Sequence, residues 1–97
     1  MILEYHPLAA FDLNEAIEFY NNRRNGLGDE LRAEVYSAIE RIVKNPYQYS
    51  SVKYEIRRHL IHRFPYSILY RVTKSEHIRI LVIRHHRRHP KFGLTRR

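Results

Sequence analysis

Apolar residues recur along the first half of the chain at spacings of three and four, and along much of the second half at spacings of two. Ile2 to Tyr5 is a short apolar run bounded by Pro7 and reads as a first strand. Pro7 stands where a helix would begin, and proline is tolerated in a first helical turn. From Leu8 onward, Ala10, Leu13, Ile17 and Tyr20 mark one helical face. Asp12, Glu15 and Glu18 fall off that stripe, toward solvent, where the helix dipole favours acids near the N-terminal half. Asn25-Gly26-Leu27-Gly28 breaks the pattern, since glycine supplies the positive φ that ends a helix. A second helical stripe follows through Leu27, Leu31, Val35, Ala38, Ile39 and Ile42, and Asn45-Pro46 stops it. Helices joined by so short a break fold back as an antiparallel hairpin.

The apolar stripes of that hairpin need a surface to cover, and the second half of the chain supplies one. Tyr47 to Val52 reads as a polar, aromatic loop, and from about Ile56 the composition turns β-like, with Ile56, Leu60 and Phe64 among basic residues. Phe64-Pro65 marks a turn or an edge. Tyr66, Ile68, Tyr70 and Val72 alternate with Ser67, Leu69 and Arg71 as a period-two strand. Thr73-Lys74-Ser75-Glu76 is a polar hairpin loop, and the nearly continuous apolar run from His77 to His85 suits a central strand buried on both faces. The expected fold is α+β, in the order β-α-α-β-β-β, with the helix hairpin packed on one face of a small antiparallel-rich sheet. The other face, or its rim, then carries Arg58, Arg63, Arg71, Arg79 and the Arg84–Arg88 cluster. The expectation is one domain over residues 1–97, with a basic tail at about 90–97 that frays with the residues leading into it from Arg87.

Charge sharpens this picture. The net charge is +8, but residues 1–52 hold five Lys/Arg and eight Asp/Glu, whereas residues 53–97 hold thirteen and two. Six of the seven histidines also lie in the second part. Such a directed positive field attracts phosphate or carboxylate surfaces. A chain of 97 residues buries only about 60–65% of its unfolded surface, so its core is modest. There is no cysteine, hence no disulfide framework and no Cys-based zinc site. No apolar run approaches the roughly 20 residues of a membrane span, and the N-terminus, beginning at Met1, lacks the pattern of a secretory signal. A cytoplasmic protein with no membrane association is expected.

The densest chemical feature is Arg84-His85-His86-Arg87-Arg88-His89-Pro90-Lys91, a fan of cationic and titratable side chains at the end of a buried strand. Arginine forks suit phosphate and carboxylate oxygens alike. His85, His86 and His89 have no acid within eight residues and sit among positive charges, which opposes a metal ion, so neither metal nor cofactor is expected. Metal-free RNA cleavage needs a base, an acid and a cation for the phosphate. His85 or His86 with Arg87 and Arg58 supplies those types. Arg57, Arg58 and Arg63 form a second basic group before Phe64-Pro65-Tyr66. Tyr66 and Tyr70 read as core rather than as base-stacking platforms. Glu55 and Glu76 are the only acids of the basic half, which leaves no paired-carboxylate mechanism, and there is no phosphate-cradling glycine loop.

Taken in order, these segments resemble the RelE/ParE superfamily of bacterial toxins. The resemblance rests on Ala10-Phe11-Asp12-Leu13-Asn14-Glu15-Ala16 with Phe19-Tyr20, on Gly26-Leu27-Gly28 and Asn45-Pro46, on Arg57-Arg58, on Arg63-Phe64-Pro65-Tyr66 through Val72, and on Ile80 through Pro90. It implies the toxin half of a type II toxin–antitoxin pair, bound tightly by a small antitoxin that wraps an acidic, initially disordered segment over it. One branch of the superfamily cleaves mRNA on the ribosome; the ParE branch poisons DNA gyrase. Against the nuclease branch, Arg58 matches a second-strand base and Arg87 a later arginine. Leu60, however, replaces a basic companion, Ser67 stands in place of an arginine, and Phe92-Gly93 in place of a tyrosine. The Arg-Phe-Pro-Tyr and His-Arg-Arg-His-Pro segments are closer to ParE-like members.

Three readings stay open on the sequence. The first is a ParE-like gyrase poison, with Arg57, Arg58, Arg63, Arg71, Arg84, Arg87, Arg88 and His89 contacting target or antitoxin. The second is a ribosome-dependent mRNA endoribonuclease using His85 or His86 with Arg87 and Arg58. The third is an inactive homologue that survives as an antitoxin-binding module.

Overall fold

The computed structural model describes residues 2–74 and 76–97. Met1 and Ser75, expected at the N-terminus and in the hairpin loop, lie outside the described residues. Seven elements follow one another: β1 (Ile2–Tyr5), α1 (Pro7–Arg23), α2 (Leu27–Lys44), β2 (Ser51–Lys53), β3 (Ile56–Leu60), β4 (Tyr66–Val72) and β5 (His77–His85). The strands form one sheet in the order β1-β5-β4-β3-β2. β1 runs parallel to β5 and the other pairings are antiparallel. The α+β fold with a helix hairpin on one face is therefore as expected. β2 is an addition, since its residues were read as loop. It pairs with β3 through the two-residue turn Tyr54-Glu55, both at positive φ. That geometry ordinarily selects Asn or Gly, so the turn has no sequence signature.

Each helix starts for a local reason. Pro7 occupies the first turn of α1, and the His6 imidazole caps it by accepting from the Leu8 N–H at 3.0 Å. Gly26, at φ 89, turns the chain between the helices. Gly28 then lets α2 approach α1 closely, its N–H donating to Asn21 Oδ1 at 2.7 Å. The α2 stripe lies as expected, with Leu31, Val35, Ala38, Ile39 and Ile42 buried. On α1 the buried face is Ala9, Leu13, Ala16 and Ile17, and Ala10 is exposed. Leu13, Ile17 and the core-packed Tyr20 thus stand as expected, Ala10 does not, and Leu8, Phe11 and Phe19 form an apolar line of their own on the open side.

Two cores result. The helices cover Tyr66, Ile68, Tyr70, Ile78, Ile80 and Ile83. The opposite sheet face buries Ile56, Leu69, Leu81 and Val82. Leu81 and Val82 share that face because the β4–β5 register slips at Leu69/Tyr70: Tyr70 pairs with Ile80 but Leu69 with Val82. The resulting bulge explains why the run reads as continuous rather than alternating.

The basic tail does not fray. Phe92 and Leu94 pack onto the second core, and Arg84 Nη1 donates to the carbonyls of Pro90 (2.7 Å) and Phe92 (3.3 Å). Gly93, at φ 81, fits so tightly that a Cβ there would lie 2.3 Å from a Val82 methyl. Arg96 closes the strap: its Nη1 reaches Asp12 Oδ2 at 2.7 Å and the Leu81 carbonyl at 2.9 Å. Asp12, expected to face solvent, is therefore drawn inward, where it also accepts from the Ile83 N–H at 3.2 Å. No helix among the described residues is long and apolar enough to cross a membrane.

Candidate functional site

Side-chain alternation sorts the cationic residues by face before any contact is considered. The ladder sets Leu60 opposite Ser67 and Ser67 opposite Arg84, while Arg58 sits opposite Leu69 and Arg71 opposite Arg79. Arg58, Arg71, Arg79 and Arg84 thus share the sheet face away from the helices, as the sequence suggested. Arg63 does not. It lies in the β3–β4 turn at φ 74 and pairs with Glu30 (2.7 Å) and Glu34 (3.7 Å) of α2. Hydrogen bonding to Arg63 and then to Arg24 holds the Glu30 carboxyl below its ordinary range.

Other expected site residues are also engaged internally. Arg57 Nη1 donates to the carbonyls of Tyr47 (3.2 Å) and Tyr49 (2.6 Å), fastening the loop before β2. Arg71 donates to the Tyr54 carbonyl at 3.2 Å. Arg79 bridges Glu4 and the Arg97 carbonyl, and Glu4 also pairs with His77. Arg88 lies over the Phe92 ring, 4.6 Å from its centroid. His89 accepts from the Lys91 N–H. Among the described residues, Arg58, His86 and Arg87 are exposed, and their side chains make no hydrogen bond or ion pair.

The same alternation separates the two alternatives for the nuclease histidine. His85 faces the helix side, edge-on to Tyr66 at 5.0 Å, with its Nδ1 accepting from the Arg87 N–H. Arg58, Arg84, Arg88 and His86 line a groove on the opposite face together with Ser67. Of the two alternatives, His86 shares a groove with Arg58 and His85 does not. Among the described residues no three His, Cys, Asp or Glu side chains gather where they could hold a metal ion.

His85 instead lines a second groove, about 370 Å³, between α1 and the tail. Its walls are Leu8, Phe11 and Phe19 on one side and Tyr66, Phe92 and Arg96 on the other. Leu8, Phe11 and Phe19 are 48%, 58% and 49% exposed. This line was not expected from the sequence to form a surface of its own. Its spacing of three, then eight, is a helical signal that could have revealed it.

Three histidines are held below the usual imidazole range. For His59 the largest cause is burial, followed by the charges of Arg41 and His62; its Nε2 is buried without a partner. For His85 it is burial, then Arg87, His86 and Arg88. For His6 it is burial, then Arg96 and Arg79, opposed by Asp12. Unfolded histidines titrate near about 6.5, so below that pH the unfolded chain takes up protons that the folded chain resists. Stability is therefore full above about pH 6.5 and falls as the pH drops through that value. Thermal melts at pH 7.5 and 5.5 should show this loss, and His59→Leu should flatten it. An unchanged slope in that variant would remove His59 from the account.

The family described as the ParE toxin of the type II toxin–antitoxin system, parDE, matches residues 3–90. Among solved structures, the chromosomal ParDE toxin–antitoxin system from P. aeruginosa superimposes with a TM-score of 0.77 at 21% identity, covering 88% of this chain and 95% of that one. No curated protein matches.

Proposed function

The chain belongs to the ParE toxin family of type II toxin–antitoxin systems, and from that premise we propose that it arrests growth by binding DNA gyrase rather than by cutting RNA. The observation that carries this reading is the division of the histidines between two faces. A general acid and a general base must reach one phosphodiester together, and His85 lies on the helix side while Arg58 and His86 lie on the other. One imidazole does not fill both roles at once.

As the toxin half of a pair, the protein has a cognate antitoxin as its partner, and both act in the cytoplasm. The groove between α1 and the tail is where the antitoxin docks. Leu8, Phe11 and Phe19 offer exposed apolar surface, and aromatic side chains dominate interface energetics. The exposed cations set the speed and register of docking more than its strength.

Induced expression should arrest growth, and co-expression of the cognate antitoxin should relieve the arrest. Purified protein should inhibit gyrase supercoiling while leaving translated mRNA intact. Supercoiling undisturbed at excess protein would remove the gyrase reading. Cutting of mRNA that depends on His86 and Arg58 would replace it with the nuclease one. No arrest at all would leave an antitoxin-binding module.

A further inference from the structure

The groove on the sheet face away from the helices has a volume of about 350 Å³ and is walled by Arg58, Ser67, Arg84, His86 and Arg88, with no Asp or Glu among its lining residues. We propose that it is a binding site for phosphate groups, a property that neither gyrase binding nor antitoxin docking requires.

The ladder builds the site. Arg58 on β3 and Arg84 on β5 project from the same face two strands apart, and strands lie about 5 Å from one another. Their long side chains are therefore within reach of a single ligand. His86 and Arg88 come from the turn after β5, and Leu60 and Pro90 give the groove apolar sides. Arg84 is the unusual member. It is only 7% exposed, and its Nη1 is engaged by two backbone carbonyls. No carboxylate among the described residues pairs with it or with Arg58. Burial, and then the positive charge of Arg58, lower its hold on its proton. A buried cation without a counter-charge is costly and rare, and such a charge at a groove wall is a candidate for a ligand-binding role. An anion in the groove would relieve both guanidiniums at once. Guanidinium forks match phosphate oxygens bidentately, and Arg58 and Arg84 beside the His86 imidazole, with Arg88 adding positive charge at the rim, suit a phosphate group, with its several oxygens, better than a single carboxylate. The phosphate belongs either to a small ester or to a nucleic-acid backbone.

The test uses the full chain. Calorimetric titration with inorganic phosphate, at ionic strength fixed by chloride, should show binding. Arg58→Ala should weaken it at least about tenfold, the loss of a charge-assisted hydrogen bond. Arg23→Ala, on α1, should leave it unchanged. Because Arg84 also holds the tail, Arg84→Lys is the second variant: it keeps the charge, removes the fork, and should weaken binding at a temperature where thermal melts show the variant still fully folded. Anisotropy of a labelled oligothymidylate separates the sources. Tighter binding than phosphate, with a salt slope about one unit shallower in Arg58→Ala, identifies a nucleic-acid backbone. Affinity no greater than that of phosphate identifies a small ester. Either result supports the site. No phosphate binding by the unaltered protein, an equal loss in Arg23→Ala, or equally effective competition by a polyglutamate peptide would overturn it.

Discussion

Replacing Asp12 by alanine is expected to destabilise the fold by about 3–5 kcal/mol, the range for removing one partner of a buried ion pair. The side chains of Asp12 and Arg96 are each 11% exposed and meet at 2.7 Å. The carboxylate also accepts from the Ile83 N–H, and Arg96 also donates to the Leu81 carbonyl. One acidic side chain thereby ties α1, the bulged part of β5 and the tail strap together. Its loss strands a largely buried guanidinium and an unpaired backbone donor. In a domain this small the melting temperature should fall by roughly 15–25 °C, measured by scanning calorimetry. Adding Arg96→Met to the alanine variant should recover much of the loss, because the unpaired charge goes with it. A drop below about 1 kcal/mol in the single variant would mean that the strap closes without this pair.

Gly28→Ala should be the other severe change, and its sign is what makes it informative. An exposed helical glycine replaced by alanine ordinarily gains up to about 1 kcal/mol. Here the added methyl would lie 2.0 Å from the Ile17 carbonyl oxygen and 2.8 Å from the Asn21 side chain. A backbone carbonyl does not rotate aside, so α2 has to lift off α1 along the seam between them. The loss should be about 3 kcal/mol, at the upper end of the overpacking range. Urea denaturation should show it as a lower midpoint with an unchanged slope. A stabilised variant would show that the helix seam opens freely.

The parts of the fold legible in the sequence were those whose cause is local. The α2 stripe, the Tyr66–Val72 alternation and the apolar β5 run each satisfy a period over many residues, and all stand where expected. β2 was illegible because its turn uses Tyr54 and Glu55 at positive φ, with neither Asn nor Gly to announce it. Asp12 was assigned to solvent because its partner lies 84 residues away. The tail looked frayed because its charges outnumber Phe92 and Leu94, yet those two are the residues that dock. The same holds for the candidate site. The number of cations marks the basic half but not that Arg57, Arg63, Arg71 and Arg79 are engaged internally, nor that Arg58, Arg84, Arg88 and His86 line one groove.

The pairing of β1 with β5 has a consequence during synthesis. Ile2 finds its partner His77 only when β5 has left the ribosome. At about 5–20 residues per second, roughly 4–15 s separate the two. Through that interval the nascent chain has a helix hairpin but no central strand to cover, so neither the basic groove nor the strap exists. The basic groove and the strap are thus the last parts of the fold to be assembled.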